Sequence, residues 1–225
     1  MDGLADDVSL PVRLGNGSNM TERSMLTGQN PNVVVKVGHS VHVIGWDADR
    51  VQVKANSHSG MKLERRGDEV EARLGHSGEV FVPFGSTIKV YAGHTLEVDK
   101  IRGSVSAVGG HDVFLREINL LVNASAGHRL EVDCERLEGK DFKFSAGHDL
   151  RFCVRELSSA RLQVDDIGGY WEGIIGEGEL KIRLKAGGDV TVVTDREVVP
   201  QPPHYVLGNI EKPSSDRSAQ GERPV

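Results

Sequence analysis

The chain has 225 residues, 38% of them hydrophobic and 27% charged, with a net charge of −6. It carries no basic block, so the electrostatic footprint of a nucleic-acid binder is absent, and no apolar run approaches the length of a membrane span. The start, Met1-Asp2-Gly3-Leu4-Ala5-Asp6-Asp7, is acidic and lacks the basic and apolar regions of a secretory leader, which makes the cytoplasm the expected location and leaves an extracellular one open.

Residues 1–31 are polar, aperiodic and marked by Gly15-Asn16-Gly17-Ser18-Asn19, and they read as a flexible N-terminal segment. Residues 32–195 carry a repeat. Gly38-His39, Gly75-His76, Gly93-His94, Gly110-His111, Gly127-His128 and Gly147-His148 recur, and Ser57, Gly168 and Gly188 fill the remaining slots. Successive slots are 18, 19, 18, 17, 17, 20, 20 and 20 residues apart. A fixed period of this size predicts a stack in which each repeat buries its apolar face only against its neighbours.

Around each slot the apolar residues alternate with polar ones, which is a strand signature. Six residues before stand Val33, Val51, Val70, Ile88, Val105, Val122, Phe142, Leu162 and Ile182. Rows four and two before, and two and four after, are likewise apolar, as in Val35, Val37, Val41 and Val43. Lys36, Lys54, Glu71, Arg73, Lys89, Glu97, Glu131 and Lys143 take the opposite parity and are expected in water. Glycine before the slot supplies a conformation that other residues resist. At the opposite corner Ile101, Ile118, Leu137 and Leu157 are expected to plug the bend.

Cys134 has inward parity and Cys153 outward parity, so the two are expected to stay thiols rather than pair. If the slots stack, His76, His94, His111, His128 and His148 form a ladder with rings about 4.8 Å apart. Such a ladder could share a zinc- or copper-class ion. It reads more simply as a stacked corner, because zinc sites mix histidine with cysteine or carboxylate and a straight ladder makes a poor tetrahedron. Parity alone leaves open whether the rings point in or out. Asp165, Asp166 and Glu172 interrupt the pattern, and Gly168–Gly173 reads as a loop rather than as a site for acid–base chemistry. No catalytic motif and no cofactor motif is present.

Residues 196–225 hold Pro200, Pro202, Pro203, Pro213 and Pro224 and read as a mostly disordered tail. Within it, Tyr205–Ile210 could dock on the body, and Pro202-Pro203-His204-Tyr205 matches the short form read by WW domains, a match that chance produces easily.

Val41-His42-Val43-Ile44-Gly45-Trp46-Asp47, then Val51-Gln52-Val53, then turns such as Ala146-Gly147-His148-Asp149-Leu150 resemble the bacterial putative-adhesin domain family of unknown function. That resemblance implies a β-solenoid over residues 33–195 and carries no catalytic residues. The layout of repeat plus Pro-rich tail also resembles bactofilins, which implies end-to-end polymers. The expected fold is therefore all-β: a single-domain β-solenoid (β-helix) of about eight turns, 17–20 residues each, of undecided handedness. The expected function is a non-enzymatic scaffold or interaction module whose partner is itself or another protein. Val33–Val37 and Val190–Val193 would be the exposed end strands that pair with a second copy. Alternatives are a bactofilin-like filament and a metal-binding solenoid that uses the histidine ladder.

Overall fold

The computed structural model of the chain describes residues 20–56, 60–137, 139–194, 196–200 and 209–211. Ser57 and Pro202–Tyr205, both singled out above, lie outside them. Among the described residues there is no helix, and every strand belongs to one 20-stranded sheet. In chain order the strands are β1 (Met20–Leu26), β2 (Asn32–Val37), β3 (Val41–Trp46), β4 (Arg50–Asn56), β5 (Lys62–Arg66), β6 (Glu69–Leu74) and β7 (Gly78–Pro83). There follow β8 (Thr87–Ala92), β9 (Leu96–Asp99), β10 (Ser104–Gly109), β11 (Val113–Ala126), β12 (Leu130–Leu137), β13 (Asp141–Ala146) and β14 (Leu150–Val154). The last six are β15 (Ala160–Asp166), β16 (Gly169–Ile175), β17 (Leu180–Ala186), β18 (Val190–Val193), β19 (Val199–Pro200) and β20 (Asn209–Glu211).

Two series of parallel strands run through the molecule. One is β6, β2, β8, β10, the C-terminal part of β11, β13 and β17. The other is β7, β3, β9, the N-terminal part of β11, β12, β14 and β18. Each Gly-His corner links a strand of the first series to one of the second, making a rung. Because β11 belongs to both series, the two faces are one sheet, folded back barrel-like around a single interior.

The rungs do not follow chain order. β2–β3 lies between β6–β7 and β8–β9, so the first repeat is the second rung. Strands from the Ser57 and Gly168 slots do not form rungs of their own. β4 turns back antiparallel on β7, and β5 antiparallel on β6. β1 then lies antiparallel on β4, inside the segment expected to be flexible. At the other end β15 flanks β17, β16 folds back on β15, and β19 on β16. Gly169–Ile175 is thus a strand and not a loop, with Trp171 and Ile175 buried. The supposed end strands are interior: Val33–Val37 pairs with β6 and β8, and Val190–Val193 with β14 and β20. The ends of the two series are covered instead: β6 and β7 by antiparallel β5 and β4, and β17 and β18 by parallel β15 and β20, with β16 antiparallel outside β15.

Burial follows the predicted parity closely. Val33, Val35, Ile88, Val90, Phe144, Phe152, Leu184 and Val192 are all almost solvent-free, and Ile101, Ile118 and Leu157 fill the far corner. Val122 departs from it, at 41% exposed with Leu121 buried in its place, and so does Glu71, expected in water but buried. The register between β10 and β11 slips at Val105/Ser106, where Leu121 and Asn123 face consecutive partners, and this bulge expels Val122. Cys134 is buried, Cys153 is half-buried, and neither is bridged.

The glycine column has a steric cause rather than a conformational one. Gly38, Gly93, Gly110, Gly127 and Gly147 are not among the positive-φ residues. A Cβ on each would lie 2.3, 2.2, 2.1, 2.0 and 1.9 Å from the glycine carbonyl oxygen of the rung below. Glycine stacks on glycine here because strand spacing leaves no room for a methyl group.

Candidate functional site

The stacked glycines bring the next residue of each rung into a column along one edge. His76, His39, His94, His111, His128 and His148 follow one another in that order, with ring centroids 4.9, 4.8, 4.7, 4.6 and 5.2 Å apart. His39, at the first Gly-His pair, is the member missing from the ladder expected above. It enters because its rung slips between those of His76 and His94. Backbone bonds run along the same column: His39, His94, His111, His128 and His148 each donate N–H to the preceding histidine carbonyl in the stack, at 2.8–3.2 Å. The rings point outward, with 44%, 41% and 60% of the side chain exposed at His111, His128 and His148. Gly188 ends the ladder and leaves space for His148 and Asp149.

The residue after each histidine sets the partner of the ring nitrogen. Ser40 Oγ and Ser77 Oγ lie 3.0 and 3.3 Å from His39 Nδ1, and Thr95 Oγ1 lies 2.9 Å from His94 Nδ1. Further along, carboxylates replace hydroxyls. Asp112 Oδ1 is 2.9 Å from His128 Nδ1 and Oδ2 is 3.1 Å from His111 Nδ1. Asp149 Oδ1 is 2.8 Å from His148 Nδ1. Partial burial works to raise the Asp112 carboxyl, but His128, His111 and the Arg129 N–H together hold it below its ordinary value. At Asp149 burial is likewise outweighed, by the Asp189 N–H and by His148. Sequence reasoning missed Asp112 as a partner of His128, although the triplet Gly110-His111-Asp112 was its visible sign.

Two further groups of polar side chains lie on the outer faces. His42 Nε2 is 2.6 Å from Asp99 Oδ2, beside Glu97, at a recess of about 360 Å³ that Lys100 and Arg116 also line. A larger recess of about 770 Å³ runs past Glu117, Glu131, Arg151 and Arg155, where Arg155 Nη2 sits 2.9 Å from Asp133. Asp165, Asp166 and Glu172 do not converge. Asp165 pairs with Lys185 at 2.6 Å, Asp166 accepts the Gly168 N–H at 2.8 Å in the β15–β16 turn, and Glu172 accepts from Gln163 at 2.8 Å and from the Tyr170 hydroxyl. Burial, and then the Glu172 carboxylate, push the Tyr170 phenol up to about 12.

No protein-family model matches the sequence, and no curated protein matches it. Among solved structures, the chain resembles one described as a putative cell adhesion protein from Clostridium sporogenes, with a TM-score of 0.39 and 9% identity. The likeness covers 78% of this chain and 100% of that one. No described helix is long and apolar enough to cross a membrane.

Proposed function

We propose that the chain is a non-enzymatic β-solenoid that acts as an interaction scaffold and associates with a second copy through an outermost strand. The solenoid reading is supported by the in-register parallel rungs and by the unbroken columns of glycine and histidine that cross them. The association reading is carried by β1. Among the described residues it pairs with β4 alone, so one row of its backbone groups faces outward. Met20 and Leu26, at its two ends, are 40% and 66% exposed. An edge of that kind is a template for antiparallel pairing with its own copy. By contrast β5, the other outer strand at that end, is guarded by Lys62, Glu64, Arg65 and Arg66. The strands that fold back antiparallel, β4 and β5 at one end and β16 outside β15 at the other, oppose head-to-tail addition of rungs, so the reading favours a closed dimer over a filament.

Sedimentation velocity of the full chain over a range of concentrations tests this. Dimer-sized species should grow with concentration, and Met20→Lys/Leu26→Lys should remain monomeric. A wild-type chain that stays monomeric up to its solubility limit would remove the support for association.

A further inference from the structure

Asp112 differs from every other side chain that follows a ladder histidine. Among the described residues it alone meets two imidazoles, one from its own rung and one from the next. The geometry around it is unsettled as a purely hydrogen-bonded arrangement. His111 Nδ1 is buried and lies 3.1 Å from Asp112 Oδ2, yet it has no hydrogen-bond partner in line with it. A buried nitrogen left in that state calls for an explanation. The ladder also changes here. Adjacent rings are within 1° and 3° of parallel for His39–His94 and His94–His111, but 23° apart for His111–His128 and 32° for His128–His148. The rings splay from the Asp112 rung onward.

We propose that His111, Asp112 and His128 form a site for one divalent ion of the zinc class, held through the two Nδ1 atoms and a carboxylate oxygen. The three residues offer donor atoms within 4.8 Å of one another. Zinc–nitrogen bonds of about 2.0–2.1 Å place tetrahedral ligands about 3.3 Å apart; the carboxylate contacts, at 2.9 and 3.1 Å, are already that close, so any closure falls on the two Nδ1 atoms. Two imidazoles and one carboxylate suit zinc better than magnesium or calcium, which take oxygen ligands. On binding, the ion takes the Nδ1 lone pairs, any Nδ1 proton passes to solvent, and Asp112 stays as the carboxylate. The fourth position faces solvent and takes water. Asp112 thus supplies the carboxylate that a straight imidazole ladder lacks.

The other candidates are weaker for electrostatic reasons. Beside His42 and Asp99, Glu97 is already 3.5 Å from Arg116, and Lys100 lines the same recess. His148–Asp149 offers one imidazole, and the positive charge of Arg129 acts on Asp149.

Titration of the full chain with zinc chloride at neutral pH tests the site by calorimetry and thermal melting. One ion per chain should bind and raise the melting temperature, and EDTA should reverse the rise. Asp112→Asn and His128→Gln, each checked for an unchanged far-UV circular dichroism spectrum, should each weaken binding at least about tenfold. His76→Gln, at the far end of the ladder, should leave stoichiometry and affinity as they were. Absence of saturable binding, more than one ion per chain, binding that survives both site variants, or equal loss in His76→Gln would each overturn the proposal.

Discussion

Replacing Gly127 with alanine places a methyl carbon 2.0 Å from the Gly110 carbonyl oxygen and 2.9 Å from its carbon. Close-packed interiors do not tolerate such contacts, and relief requires the two rungs to part by about 1 Å. Two backbone bonds span that gap: Gly127 N–H to Gly109 at 3.1 Å and His128 N–H to His111 at 2.8 Å. Stretched by about 1 Å they are largely lost, at about 1 kcal/mol each, and the strain of overpacking adds to them. The expected cost is about 2–4 kcal/mol. Gly28→Ala is the control, because Gly28 has φ +82° and no atom within 4 Å of its added Cβ. Its penalty is backbone conformation alone, about 1 kcal/mol. Urea denaturation of both variants reads the difference. If Gly127→Ala costs no more than Gly28→Ala, close contact between stacked glycines is not the reason for the column.

The remaining predictions concern the core, pH and the thiols. Phe144→Asp puts an unpaired charge into a fully buried position and should cost several kcal/mol, whereas exposed Lys143→Asp should stay within about 0.5 kcal/mol; equal losses in melting experiments would contradict the parity. Glu71 accepts from Lys36 Nζ at 2.8 Å, and that bond above all, with Arg73 and Arg66, holds its carboxyl down at about 2 from 4.5 despite burial. Because the folded-state value is depressed, its contribution is complete above about pH 4.5 and is lost as pH falls towards 2. The shift would give at most about 3 kcal/mol, and screening at the half-exposed cations lowers this to about 1–2 kcal/mol. Glu71→Gln should therefore lose less stability than wild type between pH 6 and 3, and identical losses would refute the assignment. Burial, and then the neighbouring Asp133 carboxylate, push the Cys134 thiol up, so a thiol reagent should label Cys153 in the folded protein and Cys134 only after denaturation. Equal rates at both positions would contradict that packing.

Much of the strand pattern was legible because alternation with period two is read directly from the chain. Val35, Val90 and Phe144 declare their face without help from the rest of the fold. Val122 did not, because a bulge reverses parity at one residue and leaves no local mark. Nor did the order of the rungs. Val51-Gln52-Val53 alternates in the same way whether β4 stacks parallel as the next rung or folds back on β7, as it does. Gly168–Gly173 looked like a loop from its glycines, while the inward Trp171 and Ile175 make it a strand. In the ladder, the spacing of the rings followed from strand geometry. The bond from Asp112 to His128 joins residues 16 apart and becomes visible only when two rungs are laid on each other.

The most direct test of the stacked-rung account is the set of interstrand amide and α-proton nuclear Overhauser contacts of β2. The structure pairs Val34 with Glu71 on one side and Lys89 on the other. Contacts from the Val34 backbone to both residues, and none to the backbone of Gln52, are the predicted result. Contacts from Val34 to Gln52 in place of Glu71 and Lys89 would mean that the repeats stack in chain order, and the inserted rung, the six-membered ladder and the covered ends would fall with it.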